Sequence, residues 1–398
     1  MKRILTTVLL PFLVLAGTSA VDMQAHLGTK EAQEAYTAYI AKQKKYYRGD
    51  NAPDKLRAMS GNELFGALNT LMGNTTLIGN SSFTYNSLRT QYVNVDKDLN
   101  VPGNIIGYYD GSSMNGTWDS GKTYNREHTW PQSKGANSGT PMGHDMQSVR
   151  PANTAINGDR GNTPYGEHGA YYDPDEVAIS NSWYVSSNLG SYRGDCARVI
   201  LYDYVVYGEA GGYKNDLYLG NAQLLSKLGT NGVFESIPVL LKWHMNDPVS
   251  LTEMVRNDGA HTYQGNRNPF IDYPELAILM LKAANGVTTY SVTTTGVTIW
   301  PAYSLTTKDG FIAYLGDKEN RPESVTVSGA TSSYDKETGR LTIRNVSQNI
   351  SITAPVPSAL EDIKEDKKAL KTMYHGQLII IKNGKAYNAL GMPVSFVD

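Results

Sequence analysis

The chain has 398 residues, with 36 Lys and Arg against 38 Asp and Glu for a formal charge of −2, and it is 40 % hydrophobic and 19 % charged. That balance excludes a disordered or acidic-tail protein, and also a globally basic nucleic-acid binder, so any polyanion contact must use a local patch. With 27 Tyr against 7 Phe, the aromatic surface is mostly of the kind that carries a polar tip.

Residues 1–20 open with Lys2 and Arg3, continue as an apolar run broken by Pro11, and end on Thr18-Ser19-Ala20. This is the layout of a secretory signal peptide, too short and interrupted for a membrane span. Its removal takes the charge from −2 to −4. Cys196 is the only cysteine, so no disulfide or multi-cysteine metal site forms within the chain, and none follows the apolar run to take a lipid. The expectation is an exported protein, secreted or on the cell surface after transit through a periplasm, with no integral membrane partner once the signal is removed.

From Thr29 to about Gly73 apolar residues recur at helical spacing. Ala35, Tyr39 and Ile40 mark one helix, and Leu64, Ala67, Leu68 and Leu71 mark a second after Ser60-Gly61. Residues 100–170 are rich in Gly, Asn, Ser, Tyr and Pro, with short strand-like runs such as 104–109. Helical text returns at Ala197–Tyr207, Ala222–Leu228, Pro238–Trp243 and Tyr273–Ala284. After Gly286 the text alternates Val, Thr, Ile and Tyr between Gly, Asn and Asp, which predicts a small antiparallel β module. Pro355-Val-Pro357 reads as a linker, Ser358–Met373 as a charged helix, and Gln377 onward as a hairpin turning at Lys382-Asn383-Gly384-Lys385. The expected layout is a signal at 1–20, a main domain at 21–286, the β module at 287–356 and a linker helix with tail at 357–398.

The most informative run is Tyr124-Asn125-Arg126-Glu127-His128-Thr129-Trp130-Pro131, followed by Asp145-Met146-Gln147-Ser148-Val149-Arg150 and by Asn157-Gly158-Asp159-Arg160-Gly161-Asn162. Glu127 supplies a hard oxygen, Asn157 a neutral one, and His128 a base titrating near neutrality. A carboxylate and an amide oxygen make a poor zinc site but a good seat for hydrated Mg²⁺, which leaves His128 free to take a proton from water. A helix around Asn157 would bury Ala152, Ala155 and Ile156 and present Arg150, Asn153, Asn157 and Arg160 on the other side. On a regular strand Glu127 and His128 point to opposite faces, so sharing one site requires the chain to twist or leave the strand, and Pro131 makes that feasible.

This block resembles the bacterial endonuclease I family of His-Me finger, or ββα-metal, nucleases, marked by Arg-Glu-His and a later Asn-Gly-x-Arg-x-Asn helix. Three further runs agree in order: Tyr192–Arg198 with a Gly-Asp-x-Ala-Arg helix start, Leu241–Val249 with a Trp-x-x-x-Asp-Pro-Val run, and Gln264–Asp272 with Gln-Gly-Asn-x-Asn-Pro-Phe. The resemblance spans about residues 46–285. It implies an α+β fold, a ββα-metal core wrapped by helices, followed here by the β module and a C-terminal hairpin tail. It implies a divalent-metal-dependent, sequence-tolerant endonuclease that hydrolyses DNA, with RNA as the open alternative, leaving 5′-phosphate ends. His128 stands where the family has its general base, and Glu127 and Asn157 stand where it holds the metal, Mg²⁺ with Ca²⁺ or Mn²⁺ as alternatives. Asp145 matches a supporting Asp, but Gln147 replaces the family's His, and Gln supplies a hydrogen bond without accepting a proton. The transition-state arginine of some relatives lies in a loop shortened here between Gly135 and Asp145. Arg160, Arg150 and Arg267 are the candidates to replace it through bidentate phosphate contact, and Arg126 is a further substrate contact.

His144, His168, His244 and His261, together with Trp130 and Trp243, read as packing or surface residues. The tail at 376–391 resembles the C-terminal sorting tails of proteins exported by the type IX route, which would make export machinery a partner; the main chain is expected to act as a monomer. A surface or matrix-binding protein with an inactive nuclease core is the alternative from another class, and a small-substrate phosphoesterase is a third.

Overall fold

The computed structural model describes residues 30–73, 83–166, 192–207, 233–234, 236–284, 286–315 and 321–355, and the strands within 370–394. The signal segment 1–20, the helix read at 222–228 and most of the charged helix read from 358 lie outside the described residues. The chain divides into two units, residues 1–354 and 355–398.

In the first unit α1 (Lys30–Tyr46) buries Ala32, Tyr36, Tyr39 and Gln43. After α2 (Pro53–Ala58), which starts on a proline where no N–H is needed, α3 (Gly61–Gly73) buries Leu64, Leu68 and Met72 at steps of four. A further helix, α4 (Tyr85–Val95), opens where the Thr84 N–H donates to Ser87 Oγ at 3.0 Å and buries Leu88, Tyr92 and Val95. Two short strands, β1 (Asn104–Ile106) and β2 (Ser113–Asn115), pair antiparallel. The strands β3 (Tyr124–His128) and β4 (Val149–Asn153) also pair antiparallel, with Glu127 opposite Arg150 and His128 opposite Val149. The helix α5 (Thr154–Arg160) follows β4 directly.

The helix expected around Asn157 therefore begins later than its periodicity suggested, and Arg150 belongs to a strand. Asn153 decides the boundary: its extended backbone ends the strand, and its side chain accepts hydrogen bonds from the Ala155 and Ile156 amides, capping α5. The expected faces also change, since Ala155 is exposed whereas Arg160 is buried.

The helical frame continues with α6 (Arg193–Tyr207), α7 (Ile237–Asn246), α8 (Leu251–Gln264), α9 (Pro269–Asp272) and α10 (Leu276–Leu281). Sequence periodicity missed α8, although its signals are explicit. Ser250 and Glu253 form a reciprocal capping box, and Gly265 closes the helix at φ 85°, a left-handed value at which a side chain is strained. The three further runs of the resemblance meet in this frame, Asn268 donating to the Arg198 carbonyl at 3.0 Å. The Gly194 amide donates to Asp247 Oδ2 at 2.7 Å, and a Cβ added there would lie 2.6 Å from the Asp247 carbonyl oxygen. Arg198 holds Glu253 through Nε at 2.5 Å and Nη2 at 2.8 Å, and donates to the Asp247 carbonyl at 2.8 Å.

The β module forms two four-stranded sheets. The first orders β10 (Thr331–Asp335), β11 (Arg340–Arg344), β8 (Phe311–Leu315) and β6 (Ile299–Trp300); the second orders β7 (Leu305–Thr306), β5 (Tyr290–Thr295), β12 (Ile350–Thr353) and β9 (Thr326–Ser328). It is not wholly antiparallel, because β12 pairs parallel with β5, Ile350 opposite Val292. These strands begin and end the module, and a long connection permits what a hairpin cannot. Leu241 and Trp243 of α7 share one hydrophobic cluster with Phe311, Leu341 and Ile350, so the module and the helices are parts of one core. In the second unit β13 (Leu370–Tyr374), β14 (Gln377–Lys382), β15 (Lys385–Asn388) and β16 (Pro393–Val394) form an antiparallel sheet in chain order. Residues 370–373, read as the end of a helix, are strand, where cross-strand pairing with 378–381 outweighs local preference. Among the described residues, no helix is long and apolar enough to cross a membrane.

His244 gives this frame a pH dependence. Its Nε2 donates to the Pro274 carbonyl at 2.7 Å, Nδ1 is buried without a partner, and burial beside the Arg198 charge pushes its pKa down to about 3. An unfolded histidine titrates near 6.5, so the unfolded state gains a proton that the folded state refuses. This contribution to stability is present above pH 6.5 and is lost as pH falls toward 3. The expected result is that His244→Gln flattens stability between pH 6.5 and 4 relative to wild type, checked by denaturant midpoints; parallel curves would refute it.

Candidate active site

The strand β3 and the helix α5 meet through side chains. Asn125 and Glu127 share one face of β3, and Asn157 on α5 donates from Nδ2 to Asn125 Oδ1. Asn157 Oδ1 takes no hydrogen bond among the described residues. Glu127 is only 2 % exposed. Its Oε1 accepts the Tyr109 hydroxyl at 2.6 Å and faces Arg160 Nη1 at 3.3 Å, while Oε2 carries no hydrogen bond. Burial pushes the Glu127 carboxyl upward, against Arg160 and the Tyr109 hydroxyl, which favour the ionised form.

The strand stays regular through His128, so His128 points to the face opposite Glu127, and the chain bends immediately after it. Its Nε2 lies 3.2 Å from the Tyr85 hydroxyl, with the rings 5.4 Å apart, and Nδ1 is buried with no hydrogen-bond partner. Burial pushes the imidazole down to about 4; the Ala136 carbonyl opposes this, and the Arg126 and Arg160 charges add to it. His128 is therefore neutral at neutral pH.

Arg160 connects the two faces. It donates from Nη1 to the His128 carbonyl at 3.1 Å and from Nη2 to the Thr129 carbonyl at 3.0 Å, in addition to its pair with Glu127. Its charge acts on both Glu127 and His128, and the Glu127 charge is felt in turn at Tyr85, which touches His128. Glu127 and the Asn125–Asn157 contact thus lie on one face at the end of β3 and His128 on the other, tied together by Arg160, which the sequence singled out, and by Tyr109 and Tyr85, which it did not.

The other expected residues lie elsewhere. Arg150 is buried, with Nε 3.7 Å from Asp96 and Nη1 3.5 Å from Asp195, its guanidinium 4.3 Å over the Tyr108 ring. Arg267 is also buried, held by Asp258 at 2.6 Å and by Asp272 at 2.8 Å. Asp145 accepts from the Gln147 amide, Gln264 and Tyr202, each at 2.7 Å, and from Tyr207. Gln147 donates to Asn257 Oδ1 at 2.8 Å. None of these four side chains is bonded to Glu127, His128 or Asn157. Asp145 and Gln147 instead rivet the loop before β4 to α6 and α8, and Arg256 completes the anchor by donating to the Met146 and Val149 carbonyls. Since Val149 pairs with His128, this buried polar network sets where β3 ends.

Sequence reasoning missed Tyr85, Tyr109, Tyr165 and Lys134. The excess of tyrosine was the available signal. Tyr109 and Tyr165 bring their hydroxyls within 2.6 Å of each other beside Glu127, and Arg160 sits 4.8 Å over the Tyr165 ring. Lys134, just past the bend, has its ammonium pushed down to about 8 by burial and by Arg160. Removing the Tyr109 hydroxyl leaves a buried carboxylate one donor short, so Tyr109→Phe is expected to cost about 1–3 kcal/mol, read as a lower denaturant midpoint at unchanged slope.

Among the described residues no three or more His, Cys, Asp and Glu gather as a metal-holding group. The site instead offers one carboxylate oxygen and one amide oxygen, Glu127 Oε2 and Asn157 Oδ1, both left out of internal hydrogen bonds. That donor set fits a hard, largely hydrated cation such as Mg²⁺ and does not fit zinc.

Residues 60–275 match the family described as Endonuclease I. The extracellular ribonuclease of Bacillus amyloliquefaciens is 34 % identical over 231 residues, covering 55 % of this chain and 73 % of its own length. The extracellular ribonuclease of Bacillus subtilis (strain 168) is 33 % identical over 206 residues, covering 50 % of this chain and 69 % of its own.

Proposed function

Since this chain belongs to the endonuclease I family, we propose that it is an exported, metal-dependent endonuclease that cuts phosphodiester bonds of RNA and DNA without reading sequence. The observation that carries the reading is a buried, neutral His128 at the end of the strand that also holds Glu127, both under the charge of Arg160. On this reading β3, β4 and α5 form the ββα-metal core.

Glu127 and Asn157 would hold the cation through Oε2 and Oδ1. When bound, Mg²⁺ supplies neutralisation of the charge that develops on the scissile phosphate and the departing oxygen. His128 takes the proton of the attacking water, its ring oriented by the Tyr85 hydroxyl at Nε2 and by the Ala136 carbonyl. The Ala136 carbonyl favours the imidazolium that results. Arg160 acts as a positioning residue, keeping Glu127 ionised and the end of β3 in place through two carbonyls. RNA stands beside DNA because the two relatives are named ribonucleases, and export accords with their being named extracellular.

The test is cleavage of supercoiled plasmid, single-stranded DNA and RNA by the full chain with Mg²⁺ and with EDTA. The expected outcome is cleavage of all three, abolished by EDTA and restored by Mg²⁺. Absence of EDTA-sensitive cleavage would favour the inactive, surface-binding alternative.

A further inference from the structure

Two groups of arginines in the first unit contrast. Arg57, Arg150, Arg160, Arg198, Arg256 and Arg267 each have a carboxylate within ion-pair distance. Arg89 and Arg126 have none among the described residues and are carried by aromatic rings instead. The Arg126 guanidinium lies 3.6 Å over the Tyr85 ring and 5.2 Å over Trp118, and Arg89 lies 5.7 Å over the same Trp118 ring. All four residues are half-buried. Arg126 Nη1 is spent on the Tyr85 carbonyl at 2.9 Å and on Asn86 Oδ1 at 3.2 Å, whereas Nε is buried with no acceptor and Nη2 has none either.

An arginine whose Nη2 has no acceptor while its flat face is pinned by a ring is preorganised to receive an anion. Asp119, next to Trp118, is engaged instead by the Lys122 and Thr123 amides and the Thr123 hydroxyl. Arg126 lies on the His128 face of β3, and its Tyr85 ring is the one whose hydroxyl meets His128. We propose that Arg126 and Arg89, spaced by Trp118, form a phosphate track for the nucleic-acid strand on the His128 side of the cut. Arg126 takes the phosphate next to the scissile one through Nη2, and Arg89 takes one further out. This rests on the nuclease reading and adds to it where the backbone runs. The ligand is the phosphodiester backbone itself, common to DNA and RNA, so the track accounts for tolerance of sequence.

The experiment measures the affinity of the full chain, in EDTA, for fluorescein-labelled single-stranded DNA, RNA and duplex DNA across a salt series. Removing one arginine–phosphate pairing lowers the slope of log affinity against log salt by about 0.7 for single strands and about 0.9 for duplex. Arg89→Gln and Arg126→Gln are each expected to lower it by that amount, equally for all sequences, with Arg89→Lys keeping the wild-type slope. In Mg²⁺ the Gln variants raise KM severalfold at nearly unchanged kcat. Arg340→Gln, an exposed arginine on β11, is the control and leaves the slope alone. Unchanged slopes in both Gln variants overturn the proposal, as does an equal drop in Arg340→Gln. A fall in kcat without a rise in KM for Arg126→Gln overturns it too, assigning Arg126 to the support of Tyr85 and His128. Loss of EDTA-sensitive cleavage in the wild type would defeat the nuclease reading, whereas slope changes test only the track.

Discussion

His128→Ala is expected to slow cleavage by about two to four decades while leaving nucleic-acid affinity within a few-fold of wild type. The loss is that of a general base, for which this is the usual range. Binding is spared because His128 is uncharged at neutral pH and 4 % exposed, so it contributes little to attraction of a polyanion. Nor does truncation break an ion pair, since its side chain meets the Tyr85 hydroxyl and the Ala136 carbonyl and no carboxylate among the described residues. Single-turnover cleavage in Mg²⁺ beside an affinity measurement in EDTA separates the two quantities. His128→Gln should be as slow as the alanine variant, because an amide fills space without accepting the proton. Activity within tenfold of wild type would remove His128 from the chemistry.

Arg267→Met is expected to destabilise the first unit by about 3–5 kcal/mol, with KM of the folded protein unchanged. The guanidinium is 0 % exposed. It donates to Asp272 from Nε at 2.8 Å and Nη2 at 2.9 Å, and to Asp258 from Nη1 at 2.6 Å. The Tyr47 hydroxyl also bonds Asp272 at 2.8 Å, so the methionine leaves Asp272 without its cation and Asp258 with only the half-exposed Lys42 at 3.4 Å. Breaking a buried pair from one side carries that cost, a third or more of the stability of many domains. Denaturant unfolding measures it. A raised KM at unchanged stability would restore the substrate contact that the sequence suggested and remove the buried role.

Much of the site was legible because its chemistry is local. Glu127 and His128 are adjacent, Asn157 opens the Asn-Gly-x-Arg run, and each residue type suits one task. The main helices α1, α3, α6 and α7 showed their periodicity for the same reason. The helix α8 did not, because five of its eight buried residues are polar: Glu253, Arg256, Asn257, Asp258 and Gln264 are inside, satisfied by distant partners, and an apolar-stripe reading passes over them. The capping box at Ser250 and the glycine at 265 were the evidence to weigh.

The sequence alone determined which residues can do chemistry, the export-like start, and the order of motifs that marks the family. Tertiary structure decided which arginines are available to an anion. A guanidinium fork fits a carboxylate as readily as a phosphate, so residue type is silent on which it meets. Arg150 finds Asp96 and Asp195, Arg160 finds Glu127, and Arg267 finds Asp258 and Asp272, whereas Arg89 and Arg126 lie against aromatic faces with no carboxylate partner among the described residues. Several of those partners lie tens of residues away, and only folding brings them near enough for opposite charges to pair.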